Sequence, residues 1–436
     1  MTSVSLAYRL AVAAARAASP VLAWSDSKLG RGMAGRRDAH GVLRAWAEAR
    51  RDPERPLACF HAPSVGEGLQ ARAVMRALRA IHPDLQVAYT YFSPSAEPLG
   101  DRFGADVSGY LPWDQGRLVG PVLDALAPDL FVFTKTEVWP VVVEQARERG
   151  VPVALVAATV PPDAGRLKWP ARPLMRGTWG RMSAALACSE EDAGRLAALG
   201  VPEALIEVTG DPAIDSAAER ASAVDLDAAY LAPFRADPKP TVIAGSTWPS
   251  DDDVLIPALS AVRAIIPDLR VILAPHEPSG DGVGALIGSF LERGWHPSTL
   301  AHIEEDGAVG DVNAIIVERV GVLAQLYALG TVAYVGGGFH DEGLHSVLEP
   351  AAAGVPVLFG PRHRNARAAG DLVDEGGAVV VHDGDTAANV LAHWLEAADT
   401  RKYAAGQALG YIASHRGAAD RTARALASLM NRHRKP

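Results

Sequence analysis

Apolar positions along this chain fall into two patterns. Short continuous runs such as "VPVALVAA", "TVIAG" and "VPVLFG" are bounded by turn residues. Such runs suit strands buried on both faces of a parallel sheet. Between them lie longer stretches, such as Leu69–Leu78, with helical spacing of apolar residues. The runs predict strands at 57–62, 86–92, 107–111, 129–134, 151–158, 184–188 and 206–209 in the first half. In the second half they predict strands at 240–245, 269–274, 312–318, 331–336, 355–359 and 377–381. Alternation of strand and helix on this scale reads as doubly wound α/β. The phrases "AIHPDLQV", "ALAPDLFV" and "AIIPDLRV" each read as helix end, Pro-Asp turn and strand start. Their unequal spacing argues for one local solution used three times, not for a solenoid.

The pattern weakens once, over 214–240, where a polar, Ala-rich stretch ends in Pro238 and Pro240. That break predicts residues 1–50 as an N-terminal helical segment and 51–215 as a first α/β domain. It predicts 216–240 as a linker, 241–400 as a second α/β domain, and 401–436 as helices able to cross back to the first. A cleft between two such domains is expected, with ligands beyond the carboxyl ends of the strands.

Composition narrows the classes. The chain has 436 residues, is 49% hydrophobic and carries a net charge of −9, which is globular and lacks the basic excess of a nucleic-acid binder. Its two cysteines, Cys59 and Cys188, sit in apolar runs and imply no disulfide framework. Residues 5–24, "SLAYRLAVAAARAASPVLAW", hold Arg9 and Arg16 inside an apolar stretch. A spanning helix or a signal peptide fits this poorly. An interfacial helix fits better, with Leu6 and Leu10 toward lipid and the arginines at head groups. Arg31, Arg36 and Arg37 would add attraction to anionic lipid. An amphipathic helix packed on its own domain is the other reading.

Four strand-to-helix loops carry unusual residues. The first, "HAPSVGEG" from His61, places Ser64 and Glu67 at capping-box spacing. Glu67 is therefore either a helix cap or a carboxylate held at the mouth of a site. In the second, "TKTEVWP" from Thr134, Glu137 is a helix-start acid or a site residue, and Lys135 is within reach to pair with it. The third, "AGSTWPSDDD" from Ala244, offers Gly245, Ser246 and Thr247 before a helix starting near Ser250. It is an anion site or a routine loop. In the fourth, "YVGGGFHDEGLHSVLEPAAAGVPVLFGP" from Tyr334, three glycines follow a strand. His345 and Glu349 then stand four apart, a spacing that shares a helix face. A carboxylate there suits the hydroxyls of a ribose, and equally a solvated helix start. A third metal ligand at useful spacing is lacking, so no metal is expected.

Together these loops resemble one family, the bacterial Kdo transferases, glycosyltransferases of the GT-B fold. The family's H-A-x-S-V-G-E stands here as His61 to Glu67. Its T-x-T-E-[LV]-W-P-like motif stands as Thr134 to Pro140, its G-S-T as Gly245 to Thr247, and its long late motif as Gly337 to Pro361. The resemblance spans about residues 5–400. It implies two Rossmann-like domains facing a central cleft, with an N-terminal membrane-associated helix at the cytoplasmic face of the inner membrane. It implies inverting transfer of Kdo (3-deoxy-D-manno-oct-2-ulosonic acid) from CMP-Kdo to a lipid A precursor, lipid IVA, without a cofactor. Glu67 would be the general base, with His61, Ser64, Lys135 and Glu137 on the acceptor side. Gly245, Ser246, Thr247, His276, Gly337, Gly338, His345, Ser346 and Glu349 would serve the donor, and backbone amides of the two Gly-rich loops would meet the departing phosphate. Three positions depart from the family. Lys135 stands where Glu is common, Ser346 where Asn is common, and "PHEPSG" from Pro275 replaces a stretch that carries arginine where His276 stands. Two other readings remain: a GT-B transferase or epimerase using a UDP-sugar, and a non-catalytic glycolipid-binding homologue.

Overall fold

The computed structural model describes residues 4–22, 28–100 and 103–433. Residues up to Ser216, together with those from Arg416 onward, form one compact unit, and Ala217–His415 form another.

The first unit is built on seven strands: β1 (Leu57–His61), β2 (Gln86–Tyr91), β3 (Val107–Tyr110), β4 (Leu130–Thr134), β5 (Val153–Ala158), β6 (Ala184–Ala187) and β7 (Ile206–Val208). Their order is β3-β2-β1-β4-β5-β6-β7, and every pairing is parallel. Strands β1, β2, β4 and β5 are buried at every position, because helices cover both faces. This is why their sequences are continuously apolar instead of alternating. The order reverses direction at β1 and β4, and a doubly wound sheet opens its ligand crevice at such a switch point. The "HAPSVGEG" loop follows β1 and the "TKTEVWP" loop follows β4, so both motifs lie at that point.

The second unit has β8 (Thr241–Thr247), β9 (Arg270–Pro275), β10 (Pro297–Thr299), β11 (Ala314–Ile316), β12 (Val332–Val335), β13 (Val357–Phe359) and β14 (Ala378–Val380). They are ordered β10-β11-β9-β8-β12-β13-β14, again all parallel. The switch lies between β8 and β12, and the "AGSTWPSDDD" and Gly-rich loops leave those two strands. Strand β10 is not among the sequence expectations. It is three residues long, opens on proline and is half-buried at the sheet edge, so it lacks an apolar run.

The last helix, Ala418–His433, completes the first unit. Its Ala423, Leu426, Ala427, Leu429 and Met430 share a buried cluster with Ala71, Val74, Met75 and Leu78 of the Val65–Ile81 helix. Asp215 anchors its start by accepting the Gly417 and Ala419 amides. The helix that carries Glu67 therefore rests on the chain's far end.

The N-terminal stretch forms a helix, Leu6–Leu22, but the arginines do not face outward as expected. Arg9 pairs with Glu144 and Arg16 donates to Gln115, while the Tyr8 hydroxyl donates to Asp114 at 2.7 Å. The polar side of the helix is thus turned onto its own domain. Leu6 and Leu10, 71% and 60% exposed, lie on the open side. Arg36 is also unavailable to lipid. It is buried between the rings of Phe92 and Trp113 and donates to the Leu111 and Pro112 carbonyls. Among the described residues no helix is long and apolar enough to cross a membrane.

Candidate active site

Glu67 occupies the first turn of the Val65–Ile81 helix, whose N-cap is Ser64 in extended conformation. The expected capping box does not form. The Ser64 hydroxyl makes no cap hydrogen bond to the helix backbone and donates instead to Glu67 Oε2. Glu67 Oε1 lies 3.1 Å from Lys135 Nζ. The carboxylate is thus held by two side chains at the positive end of a helix. A Cβ on Gly66 would meet nothing within 4 Å, so the turn beside the carboxylate is open to a ligand.

The lysine arrives from the β4 loop. Lys135 has a left-handed backbone, φ 57°, uncommon for a residue with a side chain and typical of functional turns. Its amide bonds the Val156 carbonyl at 2.9 Å, which fixes the side-chain direction. Lys135 therefore pairs with Glu67 and not with Glu137. Burial raises the Glu137 carboxyl above the usual range; nearby Arg166 opposes this and the Glu67 charge adds to it. Arg166 donates to the Thr136 carbonyl and so belongs to the same loop.

His61 does not line this opening. It is fully buried, with Nδ1 3.0 Å from the Thr90 hydroxyl and Nε2 accepting the Trp139 indole N–H at 3.2 Å. Burial, with the Arg36 charge nearby, pushes its pKa down to about 3. Its role is to fix Trp139 and the β4 loop from beneath. Alongside it, Asp114 accepts the Val141 and Val142 amides at 3.0 and 2.9 Å, holding the helix that follows that loop.

The second unit gathers its motif loops around Asp251, which is fully buried. Its carboxylate accepts the Trp248 amide at 2.9 Å, the Gly337 amide at 2.8 Å, the Phe339 amide at 3.3 Å and the Tyr334 hydroxyl at 2.8 Å. The expected use of the Gly337 amide for phosphate is therefore incorrect, since that N–H is directed to Asp251. The Gly-rich loop is tight for a steric reason. A Cβ on Gly336 would stand 2.3 Å from the Ser246 carbonyl oxygen, and Gly337 has φ 94° with the Gly343 oxygen 2.2 Å from its missing Cβ. Ser246 sits in a left-handed conformation at the irregularity between Gly245 and Thr247.

The helix after this loop starts at Pro249, with Trp248 as its N-cap, one turn position earlier than expected. Trp248 stacks between His276 and His340, with centroids at 4.6 and 3.9 Å. Its indole N–H donates to His345 Nε2 at 3.1 Å. Burial, then the neighbouring His276, lowers the His345 pKa to about 4. A pocket of about 500 Å³ opens beside Thr247, Trp248 and His276.

His345 and Glu349 do not share a helix face as expected, because the helix begins only at Leu348. His345 lies in the loop, its amide bonded to the Gly336 carbonyl at 3.1 Å. The Ser346 hydroxyl accepts the Leu348 amide at 3.4 Å, a local turn contact. Arg220 Nη2 holds Glu349 Oε1 at 2.7 Å, while Oε2 is buried without a protein partner. Such an atom calls for a donor from a ligand or from water. Sequence reading missed Asp251, Trp248, His340 and Arg220. Proline after Trp248 and acid two positions beyond it were a legible helix start; the long-range partners carried no local signal.

A family model described as 3-deoxy-D-manno-octulosonic-acid transferase (kdotransferase) matches residues 39–216. The Kdo transferase of Bordetella pertussis is 28% identical over 390 residues, covering 85% of this chain and 87% of that relative. That of Haemophilus influenzae is 27% identical, covering 69% and 70%. The match to the Kdo transferase family model lies within the N-terminal unit. Among solved structures, the UDP-GlcNAc 2-epimerase of Neisseria meningitidis superposes with TM-score 0.57 at 14% identity, covering 87% of this chain and all of that one. A glycosyltransferase from Rickettsia africae gives 0.58 at 10% identity, covering 87% and 98%. At those identities the likeness speaks for the fold alone.

The two indole-to-imidazole bonds give a pH prediction. Both histidines must be neutral at Nε2 to accept. Their folded pKa values lie below the unfolded value of about 6.5, so the unfolded state binds more protons between the two. Stability is then constant above about pH 6.5 and falls as pH drops toward the folded pKa values. From pH 7.5 to 5, His61 alone costs the first unit about 2 kcal/mol. Denaturant unfolding at both pH values, with nitrogen chemical shifts of the ring, checks this. A His61 ring protonated at pH 5 with the fold intact would contradict it.

Proposed function

We propose that this chain transfers Kdo from CMP-Kdo to a lipid A precursor of the lipid IVA class, with inversion, using Glu67 as general base. The observation that carries the reading is the state of Glu67. It stands at a helix mouth, is not consumed by capping, and is supported by Ser64 and Lys135. The acceptor hydroxyl oxygen would attack the anomeric carbon of Kdo. The bond from that carbon to the cytidine phosphate oxygen would break, and the hydroxyl proton would pass to Glu67. One base suffices, since no covalent sugar intermediate is formed.

Donor-side residues would act by binding. Glu349, with one oxygen held by Arg220 and the other unpartnered, suits a ribose hydroxyl. The His276 ring, stacked on Trp248, can offer an N–H to the departing phosphate where the family uses arginine. The rigid Asp251 hub would keep both Gly-rich loops in place as charge builds on the leaving group.

We also propose that the Leu6–Leu22 helix lies on the cytoplasmic face of the inner membrane. Its arginines are engaged with the domain, and Leu6, Leu10 and the alanines between and after them form an open apolar side. Burying two leucines in the interface favours association by about 3 kcal/mol or more.

Incubation of the purified protein with CMP-Kdo and tetra-acylated precursor, read by mass spectrometry, should show added Kdo. UDP-sugars should give no product. Transfer from a UDP-sugar with none from CMP-Kdo would overturn the reading in favour of a different donor. In sedimentation with anionic phospholipid vesicles, the Leu6→Glu/Leu10→Glu variant should bind at least about a hundredfold more weakly. Equal binding would contradict the interfacial helix.

A further inference from the structure

A cavity of about 290 Å³ in the first unit shares no residue with the four motif loops. It lies past strand β3, where Pro112 and Trp113 meet the Leu6–Leu22 helix. Arg16, Arg36, Arg37, His40 and Arg117 line it, and among the described residues no acidic side chain does. Two of the guanidinium groups converge on one neutral atom. Arg16 Nη1 at 3.2 Å, and Arg117 Nε and Nη2 at 3.3 and 3.2 Å, all donate to Gln115 Oε1. That oxygen has two lone pairs for three N–H groups and no charge to offset two cations, which repel each other. Among the described residues none of Arg16, Arg37 and Arg117 pairs with a carboxylate. Asp114, whose charge acts on Arg36, is already engaged by the Tyr8 hydroxyl and the Val141 and Val142 amides. The cavity therefore gathers positive charge that the protein itself leaves uncompensated.

We propose that this cavity is a phosphate-ester site, separate from the transfer crevice, and that it takes the head group of a membrane lipid. Two oxygens of a phosphate accept from both guanidinium forks, in the planar geometry that arginine offers and a lone amide oxygen cannot match. The volume is at the small end for ligand cavities, which suits a head group. The lipid is indicated by the helix that forms one wall. Leu6, Leu10, Ala13 and Ala17 recur at helical spacing and are all exposed, so they share one apolar stripe. Ala13 and Ala17 belong both to that stripe and to the cavity lining. An acyl chain lying on the stripe brings its phosphate beside Arg16. The lipid as source rests on the reading of the Leu6–Leu22 helix as interfacial; the phosphate site itself does not. A soluble phosphate ester offers the same chemistry, and the two sources part in the test.

The test uses the full chain with two probes: vesicles containing phosphatidylglycerol, read by sedimentation, and glycerol 3-phosphate, read by calorimetry at low salt. The decisive variant is Arg16→Lys/Arg117→Lys, which keeps both charges and loses both forks. Attraction to a charged surface is untouched by it, whereas a built phosphate site is not. Vesicle binding by this variant should weaken at least about tenfold, and by Arg16→Gln/Arg117→Gln further still. Both pairs of side chains are at the surface, and unchanged melting shows that the fold is kept. Vesicle binding that weakens in the lysine variant assigns the site to a lipid head group. Saturable binding of glycerol 3-phosphate that the lysine variant loses, with vesicle binding unaltered, keeps the phosphate site and overturns the lipid as its source. Vesicle binding equal in wild type and the lysine variant, with no saturable binding of glycerol 3-phosphate, overturns the inference and leaves the interfacial helix intact. No vesicle binding by wild type overturns the interfacial helix, and glycerol 3-phosphate then decides the site alone.

Discussion

Every strand of both sheets runs parallel, and this one constraint decides where chemistry can occur. A parallel sheet sends each strand-to-helix loop to the same edge. At the switch points, β1 beside β4 and β8 beside β12, the loops on either side leave in opposite directions and open a crevice. All four motif loops leave these four strands. The apolar continuity of the strands follows from the same constraint, since helices on both faces leave no side for water.

Loops at such an edge are not rigid by themselves, and each unit fixes its pair with a buried carboxylate and an indole. In the first unit Asp114 receives the helix start after the β4 loop, and Trp139 donates to His61. In the second, Asp251 receives amides from both loops, and Trp248 donates to His345. A buried carboxylate is costly unless every oxygen is engaged. Asp251, with four donors, meets that condition. The visible site residues stand on this concealed layer. Its loss would act through position, not through direct contact with a ligand.

The fold was legible where a strand was a closed apolar run, as in "VPVALVAA" of β5. It was not legible at β10, whose three half-buried residues have no such run. The loops were legible because their residues are contiguous. Their internal contacts were not. Ser64 and Glu67 have capping-box spacing, yet the hydroxyl turned to the carboxylate once Lys135 was near, a residue from another strand's loop. Asp251 reaches Gly337 across 86 positions, beyond any local pattern. His61 ends a run that is buried on both faces, which was a hint of burial. Arg9 and Arg16 were assigned to lipid because spacing gives a shared face but not its direction; the partners Glu144 and Gln115 decide that.

The central claim is that Glu67 is a base and not a cap. Glu67→Gln keeps the shape and the Ser64 contact but removes the acceptor of the proton. Kdo transfer by this variant, measured beside its CMP affinity and its melting point, tests the claim most directly. The account predicts loss of turnover by a factor of about 10² to 10⁴, with CMP binding and melting little changed. Full turnover with a lowered melting point would contradict it, and would leave Glu67 as a helix-stabilising residue.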